Sequence, residues 1–80
     1  MIIMKLTLAD LNPGETAAIL VIDARGGVRQ RMADFGLRSG EEITVVRTAP
    51  LADPIEFKIR DGYISLRRSE ALQIEVRKIA

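Results

Sequence analysis

The amino-acid sequence predicts a mainly β fold, a small five-stranded antiparallel barrel left partly open, with one short α-helix between its first two strands. Three observations carry that prediction. Residues 54–68 alternate apolar and polar side chains on either side of an Asp61-Gly62 pair, the pattern of a β-hairpin. Three more apolar runs of strand length lie outside it, separated by turns rich in Gly and Pro. Only Val28, Met32 and Phe35 fall at helical spacing, one stripe of a short helix. Five short antiparallel strands in a chain of 80 residues hide their edges best by curling on themselves.

Thr7 and Asp10 have the spacing of a helix-starting box, which allows one helical turn at most before the next break. That break is Asn12-Pro13-Gly14-Glu15, with Pro and Gly at the central positions that a type II turn wants. Thr16 to Ala24 is a strand, nearly apolar on both faces and so expected to be covered on both sides. Gly26-Gly27 ends it. In the helix that follows, Val28, Met32 and Phe35 face inward, and Arg29 and Arg31 flank that stripe. Gly36 stops the helix. Leu37-Arg38-Ser39-Gly40-Glu41 then repeats the turn chemistry of Leu11-Asn12-Pro13-Gly14-Glu15. Glu42 to Ala49 is the next strand, with Ile43 and Val45 on one face. Pro50-Leu51-Ala52-Asp53-Pro54 is a stiff loop, because a proline at each end fixes φ and removes a donor.

A type I′ turn at Asp61-Gly62 sets the hairpin register. Arg60 then faces Tyr63, Ile59 faces Ile64, Lys58 faces Ser65, Phe57 faces Leu66 and Glu56 faces Arg67. Apolar pairs share one face and polar pairs the other, with Tyr63 outward against Arg60. Ser69 is a candidate cap for the short turn after the hairpin. Gln73 to Ile79 closes the barrel with Ile74 and Val76 inward. Residues 7–80 are thus one domain, behind an extension of residues 1–6. Met1-Ile2-Ile3-Met4 is too short for a signal peptide or a membrane span, so the chain is expected to be soluble and untargeted. Two readings of it stay open: a disordered start before Met4, or Ile2 and Ile3 packed on the barrel.

Composition excludes several kinds of chemistry. There is no cysteine and no histidine. A nucleophilic serine therefore has no usual base, and soft or borderline metals lack their preferred ligands. No glycine-rich phosphate loop is present. Glu41 and Glu42 are adjacent, and strand alternation would send them to opposite faces. No catalytic residue, cofactor site or metal ligand is assigned. Absence of cysteine fits a reducing cytoplasm. The formal charge is +1, unevenly spread. Residues 25–38 set Arg25, Arg29, Arg31 and Arg38 against Asp34 alone, a basic patch in the middle of the chain. With Phe35 and Phe57 expected inward and only Tyr63 outward, the patch suits a protein partner better than nucleic acid.

Val28-Arg-Gln-Arg-Met-Ala-Asp-Phe-Gly-Leu-Arg-Ser-Gly40 resembles the pattern of the FeoA family, small cytoplasmic proteins of bacterial ferrous iron uptake. The resemblance continues from Ile43 through Ala49-Pro-Leu-Ala-Asp-Pro-Ile-Glu-Phe57 and ends with Ile64-Ser-Leu-Arg-Arg-Ser-Glu-Ala71 and the strand to Val76. It covers nearly all of the chain from Leu6, departing at Ala52, where Gly is usual, and at Ser39, where Pro is common. It implies an SH3-like barrel. It also implies a partner, the FeoB membrane transporter with its cytoplasmic G-domain, and a non-enzymatic accessory role. Because the family is similar to the C-terminal domain of iron-dependent repressors, a metal-responsive module is the alternative, and a small nucleic-acid-binding barrel is a third reading. The residues expected at a partner interface are Arg29 and Arg31 on the helix edge, Pro50, Leu51, Asp53 and Pro54 in the stiff loop, and more weakly Arg67 and Arg68. Leu51 is either a docking tip or a lid on the barrel end. Oligomeric state stays open, with self-association through an exposed strand edge one option.

Overall fold

A computed structural model describes residues 5–79. The two readings of residues 1–4 lie outside them. Five strands form one antiparallel sheet, β1 (Thr16–Ile22), β2 (Glu42–Thr48), β3 (Ile55–Ile59), β4 (Gly62–Leu66) and β5 (Ile74–Lys78), in the order β4-β3-β2-β1-β5. The helix α1 (Gly26–Asp34) joins β1 to β2, and a one-turn helix α2 (Arg68–Ala71) joins the two edge strands. Short 3-10 turns occupy Leu8–Asp10 and Pro50–Ala52. Five strands and the helix between the first two match the expectation.

One sheet face supplies the core. Ile19, Ile43, Val45, Phe57, Leu66 and Ile74 are fully buried in a single cluster, joined by Leu8 and Met32. A flat sheet of five strands would hold β4 and β5 about 19 Å apart. Leu66 and Ile74, one from each edge, nevertheless share that core, so the sheet curls into a partly open barrel. Beside β5, the Val76 amide donates to the Leu6 carbonyl at 2.8 Å and Thr7 bridges Glu75.

The hairpin register differs from the expected one by two residues. Lys58 faces Tyr63, Phe57 faces Ile64, Glu56 faces Ser65 and Ile55 faces Leu66. The connecting residues are Arg60 and Asp61, neither at positive φ, and Gly62 opens β4 at φ 155°. Glycine therefore absorbs the unusual backbone after the turn, not inside it. A slip of two keeps every side chain on its face, so alternation could not distinguish the two registers. Glu56 consequently bonds Arg47 Nε of β2 at 2.8 Å and leaves Arg67 free of it.

Other expectations are corrected. β1 is not covered on both faces, since Leu20 and Val21 are exposed. A β-bulge there shifts the pairing with β5 between Ile19 and Val21, so that Val21 joins Leu20 on the outer face. Phe35 caps α1 and is 44% exposed, because the helix ends before the stripe completes its second turn. The stop itself is a Schellman motif: Leu37 N–H donates to Met32 O at 3.0 Å and Gly36 N–H to Ala33 O at 2.9 Å, with Gly36 at φ 86°. Arg67, not Ser69, is the N-cap of α2, and its N–H donates to Glu70 Oε1 at 2.9 Å.

The turn echo extends well beyond the turn. Glu15 N–H donates to Asn12 O at 3.0 Å and Glu41 N–H to Arg38 O at 3.1 Å, around Gly14 at φ 90° and Gly40 at φ 94°. Gly14 N–H reaches Val45 O and Gly40 N–H reaches Ile19 O, each at 2.8 Å. Both following strands carry a bulge at the same step, after Ile19 in β1 and after Val45 in β2. With Ala17 facing Ile43, residues 11–22 and 37–48 are related by a local two-fold axis.

Candidate functional site

Each of these repeated strands exits into one of two candidate surfaces. β2 exits into the loop 49–54. Ala52 N–H donates to Ala49 O at 2.8 Å and Ala49 N–H to Pro54 O at 3.0 Å, which closes the loop on itself. Between them Leu51 (φ 72°, ψ 14°) and Ala52 (φ 64°) both hold left-handed backbone, at a cost of roughly 1–2 kcal/mol for each residue. Leu51 is 99% exposed, so it is no lid over the described chain. Pro50, Asp53 and Pro54 are exposed beside it.

Arg68 clamps this loop. Its N–H donates to Asp53 Oδ1 at 2.9 Å, its Nε to Ala52 O at 3.3 Å and an Nη to Ala9 O at 3.1 Å. The guanidinium thus ties the loop to the Leu8–Asp10 turn. Asp53 is held by the Arg68 backbone N–H, not by the guanidinium.

β1 exits into α1. Arg29 folds back so that its Nη1 donates to Ile22 O at 2.6 Å. Arg31 reaches the other way and pairs with Glu70 of α2. Glu70 is buried, and its second oxygen accepts the Arg67 N–H, so both carboxylate oxygens are satisfied. Glu70 was no sequence candidate. The signal was present in the spacing Arg67-x-x-Glu70, a helix start with an acid at its third position. Arg31, Arg67 and Arg25 line one groove between α1 and α2. Arg25 belonged to the basic patch in sequence but not to the interface set.

The eight sequence candidates therefore divide. Pro50, Leu51, Asp53 and Pro54 share the loop with Arg68 as its clamp. Arg31 and Arg67 share the groove. Arg29 sits apart against the end of β1.

Among the described residues no group of three or more His, Cys, Asp or Glu side chains is arranged to hold a metal ion. Glu41 and Glu42 do not diverge as expected. Glu41 is the last turn residue before β2, outside the strand alternation, and both line one cavity with Arg60. The carboxyl of Glu15 is held below its ordinary value of 4.5 by its bond to Lys78 and by the Asn12 N–H at 2.6 Å. No helix of the described residues is long and apolar enough to cross a membrane.

Comparison with known proteins agrees with this architecture. Residues 6–78 match the FeoA domain. Over 73 residues the chain is 42% identical to an Fe(2+) transport protein A/Fe(2+) transporter FeoB fusion protein of Porphyromonas gingivalis, covering 91% of this chain and 9% of that protein. Among solved structures, the FeoA protein of Chlorobium tepidum is 37% identical with a TM-score of 0.88, over 94% of this chain and 71% of that one. The zinc complex of Stenotrophomonas maltophilia FeoA, described as a prokaryotic SH3 domain protein, is 27% identical with a TM-score of 0.75, over 89% and 88% of the two chains. A manganese-dependent transcriptional repressor shares the fold at 22% identity and a TM-score of 0.83, over 94% of this chain and 37% of that one. The curled five-stranded sheet is thus SH3-like, and with its match running from Leu6 to Lys78 the chain belongs to the FeoA domain family.

Proposed function

We propose that this chain is a non-enzymatic, cytoplasmic accessory module of ferrous iron uptake that docks on a FeoB-type membrane transporter through the loop 49–54. The observation that carries the reading is Leu51. A fully exposed leucine on two consecutive left-handed residues, clamped by Arg68, is costly for a chain that does not use it. Held rigid before contact, it loses little entropy on entering an apolar pocket. The transporter as partner is supported by the relative that carries both modules in one polypeptide.

The test is calorimetry between the chain and a detergent-solubilised FeoB-type transporter. Leu51→Asp is expected to abolish binding while leaving the melting temperature unchanged, because nothing packs on Leu51. Unchanged affinity removes the loop from the interface. A metal-responsive role is the second reading, favoured by the zinc complex of the Stenotrophomonas relative. It requires specific micromolar binding of Fe²⁺ or Mn²⁺, and a flat titration removes it.

A further inference from the structure

We infer that the groove between α1 and the start of α2 is a binding site for an acidic peptide segment of the docking partner, gripped by Arg25 and Arg67 beside Arg31. The inference rests on the docking role proposed above and adds a second contact of different chemistry. Arg25, Arg31 and Arg67 all line one open groove of about 610 Å³, within the usual size of a ligand site. The single carboxylate that lines it, Glu70, is saturated by Arg31 and the Arg67 N–H. Arg25 and Arg67 make no side-chain hydrogen bond or ion pair among the described residues. The other ion pairs among the described residues, Arg47–Glu56, Lys78–Glu15 and Lys5–Glu75, lie elsewhere on the chain. Unpaired positive charge gathered in a concavity draws in anions, and the guanidinium fork matches a carboxylate with two bonds.

The ligand class follows from what else lines the groove. No aromatic ring is there for a nucleobase to stack on, and the chain's net charge is only +1. Ser69 and Gln73 instead offer a hydroxyl and an amide carbonyl to the backbone of an extended peptide.

The experiment is an NMR titration of the full chain, labelled with ¹⁵N, with a hexaglutamate peptide at low salt. A hexalysine peptide and a single-stranded oligothymidylate run in parallel. Saturable shifts centred on Gly27, Val28, Ser69 and Gln73 are expected, with a dissociation constant of about 1 mM or tighter. Affinity should fall as salt rises. Arg25→Glu with Arg67→Glu should weaken binding about tenfold or more, and Leu51→Asp should not change it. Arg31 is left intact because its loss would strand Glu70. If the double variant fails to fold, Arg25→Gln and Arg67→Gln taken singly must each weaken binding. Absence of saturable shifts, shifts that survive the arginine substitutions, or tighter binding of oligothymidylate than of hexaglutamate overturns the inference. Because the peptide assay contains no transporter, its failure is separate from failure of the transporter calorimetry.

Discussion

Residues 11–22 and 37–48 build the same object twice and finish it differently. Both run from a buried leucine through a glycine turn into a strand that bulges outward after its second buried residue. Leu20 and Val46 occupy the equivalent bulge positions at 40% and 38% exposure. The next position separates the halves. Arg47 meets Glu56 across the sheet, whereas its counterpart Val21 faces Glu75 and leaves that carboxylate to Lys5. Beyond it one strand enters α1 and the basic groove, and the other enters the Leu51 loop. The short helix α2 then joins both exits, with Glu70 on Arg31 and Arg68 on Asp53. The repeat is therefore a property of the frame, and the departures from it lie where the two candidate surfaces grow.

The largest effect should come from the core positions paired with the equivalent residues Ile19 and Val45. Phe57, opposite Val45, should cost about 3–5 kcal/mol when changed to Ala. Val76, opposite Ile19, should cost only about 1.5–3 kcal/mol. Denaturant melts measure both. Equal losses would mean that the two halves carry the core equally despite the difference in side-chain size.

A sharper test of equivalence is the pair of turns. Nothing lies within 4 Å of a Cβ built on Gly14 or Gly40, so only backbone strain opposes alanine there. Gly14→Ala and Gly40→Ala should each cost about 1–2 kcal/mol. A difference beyond about 0.5 kcal/mol would break the two-fold relation at its origin. Ala52→Gly should act the other way, relieving φ 64° and stabilising the chain by about 0.5–1 kcal/mol in the same assay.

The smallest effect concerns Glu15, whose carboxylate bonds Lys78 and the Asn12 N–H. Because folding depresses its pKa, the stabilisation is complete above 4.5 and fades as pH falls through the folded-state value. Glu15→Gln should therefore lower the melting temperature at neutral pH, and the gap from the parent should close under acid. A gap that persists there would assign the effect to shape and not to charge.

Much of this molecule was legible in its residues. The type II turn at Pro13-Gly14, the stop at Gly36, the inward faces of β2 to β5 and the family pattern all depend on neighbours within a few positions. The hairpin register did not, because alternation repeats every two residues and leaves partners two apart indistinguishable. Phe35 fitted the helical stripe, yet α1 ends at Asp34 and turns that ring outward. In the candidate surfaces, the stiffness of residues 50–54 could be read from two prolines. The clamp from Arg68 and the pairing of Arg31 with Glu70 could not.

Local properties of the chain, namely strand period, glycine φ and proline geometry, were enough to give the core-facing side chains of β2 to β5 and the turns at Gly14, Gly36 and Gly40. Which cross-strand partners meet, the freedom of Leu51 from the barrel, and the groove shared by Arg25, Arg31 and Arg67 emerge with the folded chain. Those outcomes depend on residues tens of positions apart, brought together when a curled sheet buries both of its edges in one core.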